Sequence, residues 1–435
     1  MMKKTDIMNT SDYINEPLSL IRPLLASIFV SVLFFGLNYS GNNVYFYVGV
    51  LLFAIIAILF PLRDNLLVSA FCIPNLYMFK MIGSTDAILG YFFLLVSGKY
   101  IISQIPKKKV PVNGWFVLHI VFVLFTTIYY ADTSLATRLL RFVFSFVLFS
   151  KIMVVFSTDK EMKSLVYMYI LGVITAVVLG VLFHSSRGNL YNGLFAGVNS
   201  GRNYFQAVIS PVITIVVLYI LDEKINGKEL IVYITAIFAS LISLILSGSR
   251  TAVLCLAFPM LMIFMSAFRV KRIRRFALLS CIIVAAVIYI YFNYTDSIAS
   301  IVSRFSEGNI STGNRRFELW AYYLKESFSN VVVTLIGNGS LSASYAVGSV
   351  HLVEHNTIIE SLHTIGLLGT IPLFFSFAYE WRISTNGKVY FYSLFPLFVV
   401  VFSYFGINGL YADQLTFLLF LCLLIRKQFS NSLTE

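Results

Sequence analysis

Apolar segments near twenty residues long recur from one end of this 435-residue chain to the other, separated mostly by short polar connections. About twenty apolar residues is the length that carries an α-helix across a ~30 Å hydrocarbon layer. Inside such a layer every backbone N–H and C=O must be satisfied within the protein, so a segmented apolar chain of this kind folds as helices. Fourteen runs can be read, at 18–38, 44–61, 66–82, 84–104, 112–131, 134–156, 164–184, 203–222, 229–247, 250–268, 275–293, 356–379, 387–405 and 409–425. The third and fourth are the least regular, because Pro74, Lys80 and Asp86 interrupt them. Only 12% of residues are charged and 58% are hydrophobic, against roughly 25% charged in a soluble domain. The expected fold is an all-α polytopic membrane protein of about 14 transmembrane helices. Residues 1–435 form one integral domain, with no room for a soluble domain beside it.

The formal charge of +12 would point to nucleic acid in a soluble protein. Here it is explained by where the cations fall, and no nucleic-acid partner is expected. One set of connections holds Lys3 and Lys4, Arg63, Lys107 to Lys109, Lys160 and Lys163, Lys224 and Lys228, Arg269 to Arg275, Arg382 and Lys388, and Arg426 and Lys427. The alternate set (NYSGNN, IGSTD, YADTS, FGINGLYAD) is nearly free of Lys and Arg. Cations cluster on the cytoplasmic side, so both termini are expected there. The first apolar run reads as an uncleaved span, since no small-residue cleavage site follows it. Cys72, Cys255, Cys281 and Cys422 each sit inside an apolar run without metal or disulfide spacing, and read as packing residues.

That topology makes the outer cations informative. They fall at Arg187 and Arg202 (HSSRGNLYNGLFAGVNSGRN), at Arg250 (SGSRTA), and in the longest polar connection, residues 294–356. Long connections in compact folds are usually functional or disordered. This one carries a helical pattern through NRRFELWAYYLKESF, capped by Thr312 or Asn314, with Phe317, Trp320, Leu324 and Phe328 on one stripe suited to the membrane interface. It continues through a GNGS turn and closes on a His/Glu cluster, His351, Glu354 and His355.

Arg250 reads either as an arginine reaching to headgroups or as a bidentate phosphate ligand, the role in which guanidinium surpasses ammonium. Arg202 and Arg316 carry the same two readings, and Arg187, Arg304 and Arg315 also suit a solvated loop. Arg138 and Arg141, three residues apart in SLATRLLRFVFSF, share a helical face near the outer end of a span. They read as a shared anion site or as structural pairings. His355, at the head of a span, suits proton transfer near neutral pH, or else bonds to backbone, whereas His363 reads as a packed polar residue. HLVEH matches an inverted zinc-peptidase pattern, but zinc needs both histidines on one regular helix and a further ligand. Val350, Leu352 and Val353 are as strand-like as helical. No metal or other cofactor is expected.

The order of these motifs resembles the O-antigen ligase/polymerase family. SGSRTA leads into a span, a long outer loop holds R-x-x-x-W (Arg316 to Trp320) and G-x-G (Gly337 to Gly339), and His-Asn opens the next span. NGLFAGVNSGRNY resembles that family's glycine- and asparagine-rich segment, so the likeness covers about residues 190–370. It implies a GT-C-like glycosyltransferase working without metal on the outer face of the bacterial inner membrane. Glycan would pass from undecaprenyl diphosphate to an acceptor hydroxyl. It places essential arginines on Arg250 and Arg316, with Arg315 one position away, and the essential histidine on His355, with Glu354 beside it. Arg202, Arg138 and Arg141 join the expected diphosphate ligands.

The leading expectation is a polymerase joining lipid-linked repeat units of O-antigen, capsule or exopolysaccharide. Its partners would be an undecaprenyl-diphosphate-linked oligosaccharide, membrane lipid and a chain-length regulator. A ligase moving polymer to lipid A–core is the alternative within the family. A lipid-linked sugar flippase is the alternative of another class. It would place charge at the bilayer midplane and often repeat its halves, and neither feature stands out here.

Overall fold

The computed structural model describes residues 20–79, 88–107, 112–187, 202–222, 225–267, 273–293, 316–340, 345–347, 350–352, 356–383, 390–405 and 409–431, with 295, 299 and 407. The molecule is essentially all-helical, and a helix occupies each of the fourteen apolar runs. In chain order these are α1 (Ile21–Ser40), α2 (Asn43–Leu59), α3 (Leu62–Cys72), α4 (Ile88–Gln104), α5 (Gly114–Tyr129) and α6 (Thr133–Ser150). There follow α7 (Asp159–Arg187), α8 (Arg202–Asp222), α9 (Gly227–Ser247), α10 (Arg250–Cys255), α11 (Ala257–Ala267) and α12 (Ile273–Asn293). The long connection contributes α13 (Arg316–Ser327), α14 (Val331–Ile336) and a paired ribbon, β1 (Tyr345–Val347) with β2 (Val350–Leu352). The chain ends through α15 (Thr357–Ile383), α16 (Phe395–Tyr404) and α17 (Asp413–Asn431).

Four of these helices are long and apolar enough to cross a membrane unaided, within 159–182, 203–221, 227–247 and 357–383. Shorter apolar helices surround them, among them 21–37, 43–59, 114–129 and the continuous pair 250–265. The set is compatible with a membrane location. The irregular third run is explained by Pro74. Without an N–H, proline cannot continue the α-helical ladder, so α3 passes into a 3₁₀ turn, Ile73–Met78, that contains it.

The centre of the bundle is α8, 94% of whose apolar window is buried within the protein, against 44% for its neighbour α9. It packs against α9, α16 and α11. Around it α7 lies on α3, and α15 on α5. Between apolar helices in lipid there is little hydrophobic drive to associate, so close approach and polar contacts hold them together. At Gly172 of α7 an added Cβ would lie 2.2 Å from the Phe71 carbonyl of α3, so only glycine allows that crossing. Gln206 of α8 donates to the Ser243 hydroxyl of α9 at 2.7 Å.

Helix α15 is interrupted. Gly366 takes φ 61° and ψ −171° inside it, which leaves carbonyls before the break without their helical donors. The GNGS turn supplies donors from outside: Asn338 N–H donates to the His363 carbonyl (2.7 Å) and Gly339 N–H to that of Thr364 (3.0 Å). Gly337, at φ +78°, fits because a Cβ there would come within 2.5 Å of the Thr364 backbone. Two positive-φ glycines thus meet backbone to backbone. This is how a non-helical stretch is tolerated among membrane helices: its polar groups are met by protein.

Candidate diphosphate site at the loop end of the bundle

The turn is held by the connection between α5 and α6. Tyr130 donates its hydroxyl to the Gly337 carbonyl (2.9 Å) and Thr126 to that of Ile336 (2.8 Å). Asp132, the buried cap of α6, accepts from the Leu135 N–H (2.9 Å) and from both the N–H and hydroxyl of Ser340 (2.6 Å each). Burial alone would raise the Asp132 carboxyl. The Ser340 hydroxyl and the N–H groups of Leu135, Ser340 and Ser134 outweigh it and hold the group below its ordinary range. Helix α14 therefore ends in a latched turn, and α13 before it is drawn onto α15.

The face of α13 that does this differs from the stripe expected from sequence. Leu319, Tyr323 and Ser327 are buried, with Leu319 and Tyr323 packing on Ile359 of α15. Tyr323 meets the His363 ring edge-on at 4.8 Å, and His363 is the packed residue expected. Phe317 and Phe328 stay more than half exposed, and Leu324 is exposed too. Periodicity identified the helix, but both faces carry large apolar side chains, so spacing alone could not say which one meets protein. The outward stripe remains available to an interface.

Packing of α13 on α15 brings the first residue of α13, Arg316, within electrostatic reach of the first residue of α10, Arg250. Their guanidinium groups, 66 positions apart in sequence, are close enough that Arg250 repels the Arg316 charge. Burial, then the Arg250 charge, push the Arg316 guanidinium below its ordinary range, though it stays protonated at neutral pH. Among the described residues neither arginine forms an ion pair. Two like charges brought together in a partly buried place are costly, and a bidentate anion between them would relieve that cost.

The start of α15 faces the same region. Asn356 caps it, accepting from the Ile358 N–H (3.0 Å) and the Ile359 N–H (3.2 Å). Thr357 donates to the carbonyls of Tyr404 and Ile407 (3.1 Å each), tying α15 to the end of α16. His355 and Glu354 directly precede this cap and lie outside the described residues, as does Arg315. Arg202 opens α8, but its side chain is likewise outside the described set.

Arg138 and Arg141 are held differently. Arg138 Nη2 donates to the Glu360 carboxylate at 3.1 Å. The other oxygen of Glu360 accepts from the Leu410 N–H (2.9 Å). Arg141 lies against Gly90 of α4 and attracts Asp413, which also accepts from Ser145. Two arginines on one helical face thus serve two buried carboxylates. Glu360 and Asp413 were not singled out in the sequence; an acidic residue inside each of two apolar runs was the available signal.

Of the HLVEH segment, His351 and Leu352 lie in the extended strand Val350–Leu352, with Ala346 opposite His351, and the remaining three residues lie outside the described ones. No protein-family model matches this chain, and no curated protein matches it either.

Proposed function

We propose that the protein is a membrane glycosyltransferase that polymerises lipid-linked repeat units. The growing glycan on one undecaprenyl diphosphate passes to a sugar hydroxyl of another lipid-linked unit, at the outer face of the bacterial inner membrane. The meeting of Arg250 and Arg316 carries this reading. It couples, through charge, the SGSR and R-x-x-x-W motifs on which the family resemblance rests.

The chemistry needs what such a pair offers. The acceptor oxygen attacks the anomeric carbon, the bond from that carbon to the diphosphate oxygen breaks, and the lipid diphosphate leaves with the electron pair. Fixed guanidinium groups stabilise the charge that develops on the leaving oxygens. The hydroxyl proton passes to His355, or to Glu354 beside it, next to the capped start of α15. About fourteen spans and a GT-C-like arrangement belong to the same reading.

Purified protein in proteoliposomes, given undecaprenyl-diphosphate-linked repeat units and EDTA, should yield a ladder of longer lipid-linked products. The ladder should vanish in Arg250→Ala, Arg316→Ala and His355→Ala. Transfer only when lipid A–core is added would make the protein a ligase. Silence with both acceptors from folded wild-type protein would refute the transferase reading.

A further inference from the structure

Directly behind Arg250, on the α8 side, lies a small polar cleft with room for roughly one water-sized group. Asn203, Gln206 and Ser210 of α8, Ser249 and Thr251 on either side of Arg250, and Ser403 of α16 line it. The diphosphate reading leaves this cleft unused. Its bonding inventory defines what it can accept.

Gln206 is 2% exposed. Its amide nitrogen is committed to α9, donating to the Ser243 carbonyl (3.0 Å) and hydroxyl (2.7 Å). A carbonyl can receive only from that nitrogen, which fixes the orientation of the amide. Its Oε1 is therefore a buried acceptor, and among the described residues no hydrogen bond reaches it. Ala207 also lines the cleft, and Pro211 has no N–H to give its carbonyl the usual helical bond. Ser249 and Ser210 donate within the wall, to Asn203 Oδ1 (3.1 Å) and the Gln206 carbonyl (2.7 Å). The Ser403 hydroxyl is engaged with the Cys255 thiol (3.3 Å).

A buried acceptor left unmet is costly, so a cleft of this kind favours an occupant that donates. Phosphate oxygens only accept and would be repelled by Gln206 Oε1. A sugar hydroxyl both donates and accepts, and one hydroxyl matches the size. We propose that this cleft is a sugar-hydroxyl subsite: Gln206 Oε1 receives the hydroxyl hydrogen while Arg250, one residue from two of its walls, holds the diphosphate. The proposal rests on the glycosyltransferase reading and divides its site into an anion half and a hydroxyl half.

The test is a binding measurement in nanodiscs with three probes: undecaprenyl diphosphate, the same lipid carrying its repeat unit, and an alkyl glycoside of that repeat unit. Wild-type protein should bind the glycosylated lipid more tightly than the bare diphosphate. Gln206→Leu, close in volume, should erase that increment, about tenfold, and leave the bare diphosphate unaffected. Thr251→Val, which removes one hydroxyl from the wall, should weaken the increment in the same direction should the leucine variant fold poorly. Arg250→Ala should instead weaken both lipids. Loss of alkyl glycoside binding in Gln206→Leu would assign the hydroxyl to the acceptor sugar, and loss confined to the glycosylated lipid would assign it to the donor. An increment that survives in Gln206→Leu or in well-folded Thr251→Val would overturn the subsite, the cleft then holding only water. Wild-type protein that binds undecaprenyl diphosphate no better than undecaprenyl monophosphate would overturn the glycosyltransferase reading itself.

Discussion

The two ends of the bundle use cations in opposite ways. At the end away from the long connection, several cations answer structural needs. Lys99 donates to the Ile58 and Phe60 carbonyls (2.6 and 2.9 Å), and Asn65 donates to Phe60 (3.1 Å), so together they satisfy the open end of α2. Arg22 pairs with buried Asp64, Lys427 donates to the Met153 carbonyl (3.0 Å), and Arg426 lies 3.6 Å over the Trp381 ring. At the loop end the Arg250 and Arg316 charges repel each other instead, and neither is paired with a carboxylate among the described residues. Arg138 is at the loop end but paired with Glu360, in the manner of the far end. The lesson is that a basic residue at a helix end is informative only once its partner is known. Capped carbonyls and buried carboxylates account for the first group, while the arginine pair has no such partner among the described residues.

Four tests would break or sharpen this contrast. The largest effect is expected from Arg250→Lys or Arg316→Lys, which keep the charge but lose the bidentate fork. Product formation in proteoliposomes should fall about 10²-fold or more, with Tm little changed because the charge is kept. A fall in Tm matching that of a core variant would move both arginines into the structural group.

Arg138→Ala should act on stability, by about 2–4 kcal/mol, since it strands the buried Glu360 carboxylate. Thermal unfolding in detergent would measure it, and adding Glu360→Gln should restore most of the loss. A fully stable Arg138→Ala protein lacking transfer activity would instead place Arg138 with Arg250 and Arg316.

Asp132→Asn should cost about 1–2 kcal/mol by weakening the latch on the GNGS turn. Because the folded carboxyl sits below its ordinary range, its contribution is fully present above the unfolded pKa of about 3.9 and fades as pH falls through the folded value. The Tm gap between wild type and variant should therefore be constant near neutral pH and close in strong acid. A gap that widens on acidification would contradict the assigned charge state.

The smallest effect is expected at the far end. Lys99→Met keeps the apolar stem against α2 and should cost no more than about 1 kcal/mol, leaving product formation unchanged. A loss of transfer there would end the distinction between the two groups.

Much of this architecture was readable from the chain. Apolar length marked fourteen runs that each hold helix, Pro74 marked the break after α3, and Asn42 and Asn113 sit where they cap α2 and α5. Arg250 and Arg316 stood out because they interrupt the charge alternation. Those are local properties: hydrophobic length, backbone restriction and capping act within a few residues, so they survive in one dimension.

The tertiary structure decided what depends on partners distant in sequence. The Gly337 turn fits a break at Gly366 because two glycines allow backbones to touch, and neither position announces the other. Which face of α13 is buried was settled by Tyr323 meeting His363. That Arg138 has Glu360 while Arg250 is coupled to Arg316 follows from helix packing. Electrostatic energy depends on distance through space and on burial, and a sequence states neither.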